Sequence, residues 1–206
     1  PRAATAAAWS YLLAGGLLVG SILIEGGPYG TDVDGVRLFV VSFALVLVAQ
    51  AVAWVCIATT VLSLRVPGMS MRRVPLFAWS NLVAATVWLI TLPVLAAVTV
   101  LAYLDIRYGG VGGFFGGGEQ TLYARISWVF GTPTVYAFAI PALGVIASII
   151  PVFAQTRHQR HGVAQGLIAA FGALSVGVWA MPGYGADPYA WLYEGPWVAV
   201  SFAIAL

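Results

Sequence analysis

From Trp128 to Ala154 the chain carries no charged side chain, reading W-V-F-G-T-P-T-V-Y-A-F-A-I-P-A-L-G-V-I-A-S-I-I-P-V-F-A. A helix that crosses a bilayer needs about 20 consecutive apolar residues, so an uncharged run of this length restricts the fold more than any other feature. Other apolar blocks precede and follow it. The chain is 61% hydrophobic and 8% charged, with a mean hydropathy of +0.95, whereas soluble domains carry about 25% charged residues. So few polar groups cannot cover such blocks with a soluble surface. The fold class is therefore all-α: a polytopic transmembrane helix bundle, read as a single transmembrane domain over residues 1–206.

The apolar blocks predict five spans and the start of a sixth. The first covers about 6–24, with Trp9 and Tyr11 placed as interface anchors. An acidic loop with Glu25, Asp32 and Asp34 leads to a second span over about 35–64, long enough to tilt. The basic turn R-V-P-G-M-S-M-R-R, Arg65 to Arg73, precedes a third span over 75–104. Pro75 suits a first helical turn, where its missing N–H costs nothing, while Pro93 is expected to bend the helix. Asp105 to Gln120 reads as an extramembrane stretch too rich in glycine for a regular helix. The fourth span, 122–154, contains Pro133, Pro141 and Pro151, which are tolerated where neighbouring groups re-satisfy the freed carbonyls. A second basic turn, T-R-H-Q-R-H-G, Thr156 to Gly162, leads to a fifth span over 163–181. In it Gly166, Gly172 and Gly177 would permit close helix contact. An aromatic, acidic loop from Pro182 to Gly195 precedes a truncated span over 196–206. A chain that begins at Pro1 and stops at Leu206 inside an apolar run is expected to have sequence missing at both ends.

If the spans alternate, Arg2, Arg65, Arg72, Arg73, Arg157 and Arg160 fall on one side. Only Arg37, Arg107 and Arg125 fall on the other, together with all the acidic residues. Arginine near span ends marks the cytoplasmic side, which places the visible N-terminus in the cytoplasm of a bacterial or archaeal cell, with the protein integral to the cytoplasmic membrane. A net charge of +2 is far too small for a nucleic-acid surface, so no nucleic-acid partner is expected. Cys56 is alone in an apolar run and reads as a small core filler rather than a redox centre. Gly112 to Gly118 lacks the lysine and the preceding strand of a phosphate-binding loop.

Ionisable groups at membrane depth are expensive and usually functional. Here the spans hold almost none. His158 and His161 form an H-x-x-H pair in a turn with Arg157 and Arg160, where no third ligand is near and the arginines oppose a cation. That turn reads instead as a basic patch meeting anionic headgroups. Met69, Met71 and Met181 are too scattered to argue for copper by themselves. The milder polar residues are Gln50, Thr59, Thr60, Asn81, Thr86, Thr91, Thr99, Thr132, Thr134 and Tyr136. They are expected to tie helices together, each bond being worth about 1 kcal/mol in a membrane. Thr132, Tyr136 and Ile140 follow at intervals of four and so share one partly polar face. No hydrolytic triad or paired-carboxylate site is visible.

Three stretches resemble the central helices of haem–copper oxidase subunit I. The first is R-V-P-G-M-S-M-R-R-V-P-L-F-A-W-S, Arg65 to Ser80, continued by T-L-P-V-L-A-A, Thr91 to Ala97. It is similar to the family's R-A-P-G-M-T-M-x-x-x-P-L-F-x-W turn and helix. The second runs from G-G-G-E-Q-T-L-Y, Gly116 to Tyr123, into F-G-T-P-T-V-Y, Phe130 to Tyr136, and I-P-A-L-G-V-I-A. It resembles the family's F-G-H-P-E-V-Y and L-P-G-F-G-I-I-S segments. The third, V-W-A-M-P, Val178 to Pro182, falls where the family reads V-W-A-H-H. The order and spacing of these motifs agree with the family across most of the chain. The visible spans would then be the third to seventh of the usual twelve, with the start of the eighth.

This resemblance implies a cytochrome c oxidase-type oxidoreductase of the respiratory chain, but it also marks a departure. The family binds copper through the histidine of F-G-H-P-E-V-Y and the two of W-A-H-H, and those positions here hold Thr132, Met181 and Pro182. Proline has no ligating group on its ring, threonine is a poor copper ligand, and one thioether does not make a site. The acidic residue that relays protons in many members is Thr134. Only the family tyrosine remains, as Tyr136, without its usual histidine cross-link partner. Copper is thus expected to be absent from this chain, with no metal ligands assigned. Haem, in the family, is held by histidines on helices outside this segment.

The first reading is a subunit I-like protein that has lost its copper site. It would act as a structural or accessory part, or as an electron-transfer subunit, of a respiratory complex, with lipid and other subunits as partners. Trp128, Trp179 and Tyr136 would pack around a filled former cavity. The second is a divergent terminal oxidase, transferring electrons to oxygen with coupled proton movement, whose ligands lie outside this segment. The third is a transporter or channel that reuses the bundle, with helices broken at Pro93, Pro133 and Pro141 but no charged coordinating residue in the spans. Whether the chain is an enzyme stays open at this point.

Overall fold

The computed structural model describes residues 2–26, 32–66, 68–108, 122–155 and 161–179, with the backbone alone described for 122–134 and 176–179. Among the described residues there are five α-helices and one short 3-10 turn. They are α1 (Arg2–Leu23), α2 (Val33–Ser63), the 3-10 turn (Met71–Arg73), α3 (Leu76–Tyr108), α4 (Leu122–Phe153) and α5 (His161–Trp179). The membrane is the reason for helices alone. With no water to bond exposed peptide groups, a spanning segment must satisfy its own backbone. Four of the helices are long and apolar enough to cross a bilayer: α1, α2, α3 and the Val135–Phe153 part of α4. The chain is an integral membrane protein built as a helical bundle.

Two compact units emerge, one made of Pro1–Cys56 with Leu89–Phe130 and the other of Ile57–Trp88 with Gly131–Leu206. In the first unit, the end of α1 meets the start of α2. Past the end of α1, Glu25 adopts a positive φ of 55°, and Gly26 N–H closes the helix by donating to Ser21 O at 2.9 Å. Asp32 then caps α2, its Oδ2 accepting from Gly35 N at 2.7 Å. Gly26 and Gly35 meet backbone to backbone, for a Cβ on Gly26 would overlap Ser21 O and lie 2.5 Å from Gly35 O. Arg37 pairs with Asp34 one turn further on, at 2.9 Å.

At the other end of this unit, α3 continues to Tyr108. Asp105, expected in the extramembrane stretch, therefore stands on the last turns of a helix and is only 8% exposed. Pro93 lies inside α3, which stays helical through it. In α4 the helix likewise runs through Pro133, Pro141 and Pro151.

In the second unit α3 is the shared element. A Cβ on Gly144 of α4 would overlap Ser80 Oγ and come within 2.5 Å of Ser80 Cβ, so α3 and α4 touch through their smallest residues. A Cβ on Gly172 of α5 would overlap Val83 Cγ1. Close approach at small residues is what holds helices together in lipid, where apolar burial gives little preference for protein over acyl chain. Of the three α5 glycines expected to allow contact, Gly172 does so, Gly166 has nothing within 4 Å, and the surroundings of Gly177 lie outside the description.

Candidate functional site

The packed face of α4 carries the family tyrosine. Ala137 and Ile140 are fully buried, and Tyr136, half-buried, meets Phe171 of α5 edge to face with ring centroids 6.1 Å apart. Ile140, four residues on, lies within van der Waals reach of a Cβ placed on Gly172. Close by, Phe138 sets its ring edge to face against buried Trp88 of α3 at 5.2 Å. Tyr136 thus packs on α5, while Phe138, about 200° further round the helix, packs on α3.

Thr132 and Thr134 belong to the same helix α4, and Thr132 is one turn before Tyr136. Their side chains lie outside the description, as do those of Trp128 and Trp179. Met181 and Pro182 fall outside the described residues altogether. Among the described residues, no group of three or more His, Cys, Asp or Glu side chains could hold a metal ion. The residues that the sequence comparison of motifs sets at the family's ligand positions offer a hydroxyl, a thioether and a tertiary amide, a donor set that does not fit a centre built on three imidazoles.

A second constellation was not foreseen. The first residue of α5, His161, sets its Nε2 3.0 Å from Val74 O. One turn later, Gln165 Nε2 donates to Met71 O at 3.2 Å and to Val74 O at 3.1 Å. The backbone carbonyl of Gln165 accepts from Trp79 Nε1 at 3.0 Å. A carbonyl only accepts, so the His161 nitrogen facing it carries a proton and has no lone pair to offer a metal. His161, expected to meet headgroups with the rest of its basic turn, instead clamps the 3-10 turn onto α5. The i, i+4 spacing of His161 and Gln165 puts both on one helix face, the only sign of the clamp that the sequence carries.

Three of the polar residues expected to tie helices together bond within their own helix instead. Asn81 donates to Phe77 O, Thr86 to Leu82 O and Thr99 to Leu95 O, each within its own helix. Short side chains reach the carbonyl three or four residues back more easily than they reach across to a neighbour. The longer Trp79, His161 and Gln165 make the ties between segments.

A family model described as cytochrome c and quinol oxidase polypeptide I matches residues 1–185. The chain belongs to this oxidase subunit I family. It is 33% identical over 199 residues to cytochrome c oxidase subunit 1 of Cereibacter sphaeroides, covering 87% of this chain and 35% of that protein. The cytochrome c oxidase subunit 1 of Bacillus subtilis is 32% identical over 148 residues, 70% of this chain and 24% of that one. That of Corynebacterium diphtheriae is 39% identical over 125 residues, 59% and 22% respectively. The chain thus spans about a third or less of the curated relatives it matches.

Proposed function

We propose that this chain is the central part of a haem–copper oxidase subunit I-like protein that lacks the copper site and serves a respiratory complex as a structural, accessory or electron-transfer subunit. The observation that carries the reading is the set of residues at the family's ligand positions, Thr132, Met181 and Pro182. The packing of Tyr136 against Phe171 supports it, since the tyrosine ring has a packing partner on α5 that involves no metal ligand. Haem, where the whole protein carries it, is held by residues outside this segment. The other subunits of the complex and the surrounding lipid are its partners. The distribution of arginines supports a cytoplasmic N-terminal end for the visible chain.

A second reading, a divergent terminal oxidase with ligands elsewhere, is favoured by one finding. The relatives are named cytochrome c oxidase subunit 1, and this chain spans only about a third of their length. The two readings part on one measurement, a reduced-plus-CO minus reduced absorption spectrum of the protein purified in its native complex, at known haem content and with copper quantified. Haem without a CO response supports an electron carrier, and no haem supports a scaffold. A CO-induced haem shift together with stoichiometric copper coordinated in these spans would overturn the proposal.

A further inference from the structure

The turn between α2 and α3 combines features that no part of the oxidase reading uses. Both flanking helices are long and apolar enough to cross a bilayer, so residues 64–66 and 68–75 lie where such helices leave the hydrocarbon. Arg72 and Arg73 are exposed on the 3-10 turn and form no ion pair among the described residues. Arg65 stands nearby at the end of α2, its Nε donating to Leu62 O at 3.1 Å. No aspartate or glutamate occurs in the sequence between Ile57 and Trp88 or between Gly131 and Trp179. The positive charge on this end of the second unit has no carboxylate of its own unit's described helices to neutralise it. Exposed Leu64, Val66 and Phe77 flank the arginines, giving the surface an apolar border. The backbone of the turn is held in advance, because Met71 O and Val74 O are both bonded by α5. A binding surface fixed before its ligand arrives loses less entropy on binding.

We propose that this turn is a docking site for the phosphate of an anionic phospholipid, with Arg72 and Arg73 as its ligands and Leu64, Val66 and Phe77 against the glycerol and upper acyl region. Guanidinium groups suit a phosphate because their planar N–H forks match its oxygens in pairs. Depth favours a lipid as the source of the phosphate, since two helices long and apolar enough to cross a bilayer flank the turn and would bring its arginines and apolar border to the headgroups together. The proposal does not depend on the copper site, on haem or on which side of the membrane the turn faces.

The test uses the intact protein in its native complex, solubilised in a mild detergent and titrated with phosphatidylglycerol or phosphatidylcholine, with bound lipid counted by native mass spectrometry. Wild-type protein is expected to retain phosphatidylglycerol in preference to phosphatidylcholine. An arginine near an anionic lipid surface is worth about fivefold in affinity, so R72Q/R73Q should weaken phosphatidylglycerol binding roughly 30-fold and leave phosphatidylcholine unchanged. Arg107→Gln, which removes one arginine from the far end of α3, should leave the preference intact. Should the double variant fail to fold, the wild-type preference must still shrink as ionic strength rises, since an exposed phosphate contact is screened. Equal phosphatidylglycerol binding by R72Q/R73Q, equal loss in R107Q, or a preference indifferent to salt would each overturn the site. Displacement of the lipid by millimolar inorganic phosphate would assign the arginines to a free anion and overturn it as well.

Discussion

Replacing Gln165 by leucine takes the amide out of the α5 clamp while keeping much of its volume. The backbone carbonyl that accepts from Trp79 stays, so the substitution isolates the side-chain bonds to Met71 O and Val74 O. Met71 O keeps a longer bond from Val74 N at 3.4 Å, and Val74 O keeps His161 Nε2. A neutral hydrogen bond contributes about 1 kcal/mol net, so Q165L should cost about 2 kcal/mol. His161→Ala removes one bond to Val74 O, which Gln165 still serves, and should cost about 1 kcal/mol. The double variant differs in kind. Val74 is only 2% exposed, and its carbonyl would then be left without either α5 donor. Stranding a buried carbonyl adds about 1–3 kcal/mol, so the pair should lose about 4 kcal/mol or more, beyond the sum of the singles. Equilibrium unfolding of all four proteins in mixed micelles gives the cycle. A coupling energy of about 1 kcal/mol or more is expected from a shared acceptor. Additivity within about 0.5 kcal/mol would refute the shared-carbonyl argument, since that is how independent sites behave.

Four further outcomes follow from the geometry. Gly144→Ala should destabilise by about 3 kcal/mol through overpacking on α3. Thermal unfolding should show recovery when Ser80→Gly is added but not with Ser80→Ala, because Ser80 Cβ itself lies 2.5 Å from the new methyl. Gly166→Ala, with nothing within 4 Å, should be neutral or up to about 1 kcal/mol stabilising in the same assay. Asp32→Ala should cost about 1 kcal/mol by uncapping α2, with Asp32→Asn retaining most of the cap, as read by unfolding and by hydrogen exchange at Gly35. Nitrogen NMR of neutral His161 should show the proton on Nε2, and a proton on Nδ1 alone would contradict the bond to Val74 O.

Much of the architecture was legible because the membrane simplifies the problem. Long uncharged runs such as Trp128 to Ala154 admit few alternatives to helices, and the fold class follows from them. The face shared by Tyr136 and Ile140 was legible from their spacing, and both are found packed against the neighbouring helices. The α5 clamp was not legible. Trp79 and Gln165 are 86 residues apart and Gln165 and Met71 94, and nothing in local spacing links such distant residues. Asn81, Thr86 and Thr99 misled for a related reason. A polar residue in an apolar run signals that a partner is needed, but not whether that partner is a neighbouring helix or the same one.

The contacts that hold the second unit explain how the proposed loss of copper ligands is compatible with the fold. Gly144 meets Ser80, Gly172 meets Val83, and the clamp joins α5 to Met71 and Val74. None of these uses Thr132, Met181 or Pro182. A bundle that depended on metal for its stability would have to compensate for the binding energy lost with each histidine. Among the described residues, this one is tied by small-residue packing and by bonds to backbone carbonyls. Tyr136 remains under a separate constraint, since its ring packs on Phe171 and its removal would leave a void between α4 and α5. Tyr136→Phe, which keeps the ring, should therefore be tolerated far better than Tyr136→Ala. A Tyr136→Phe protein that folds as well as the wild type but loses electron transfer would show that the hydroxyl matters in its own right, and would move the weight back to a working oxidase.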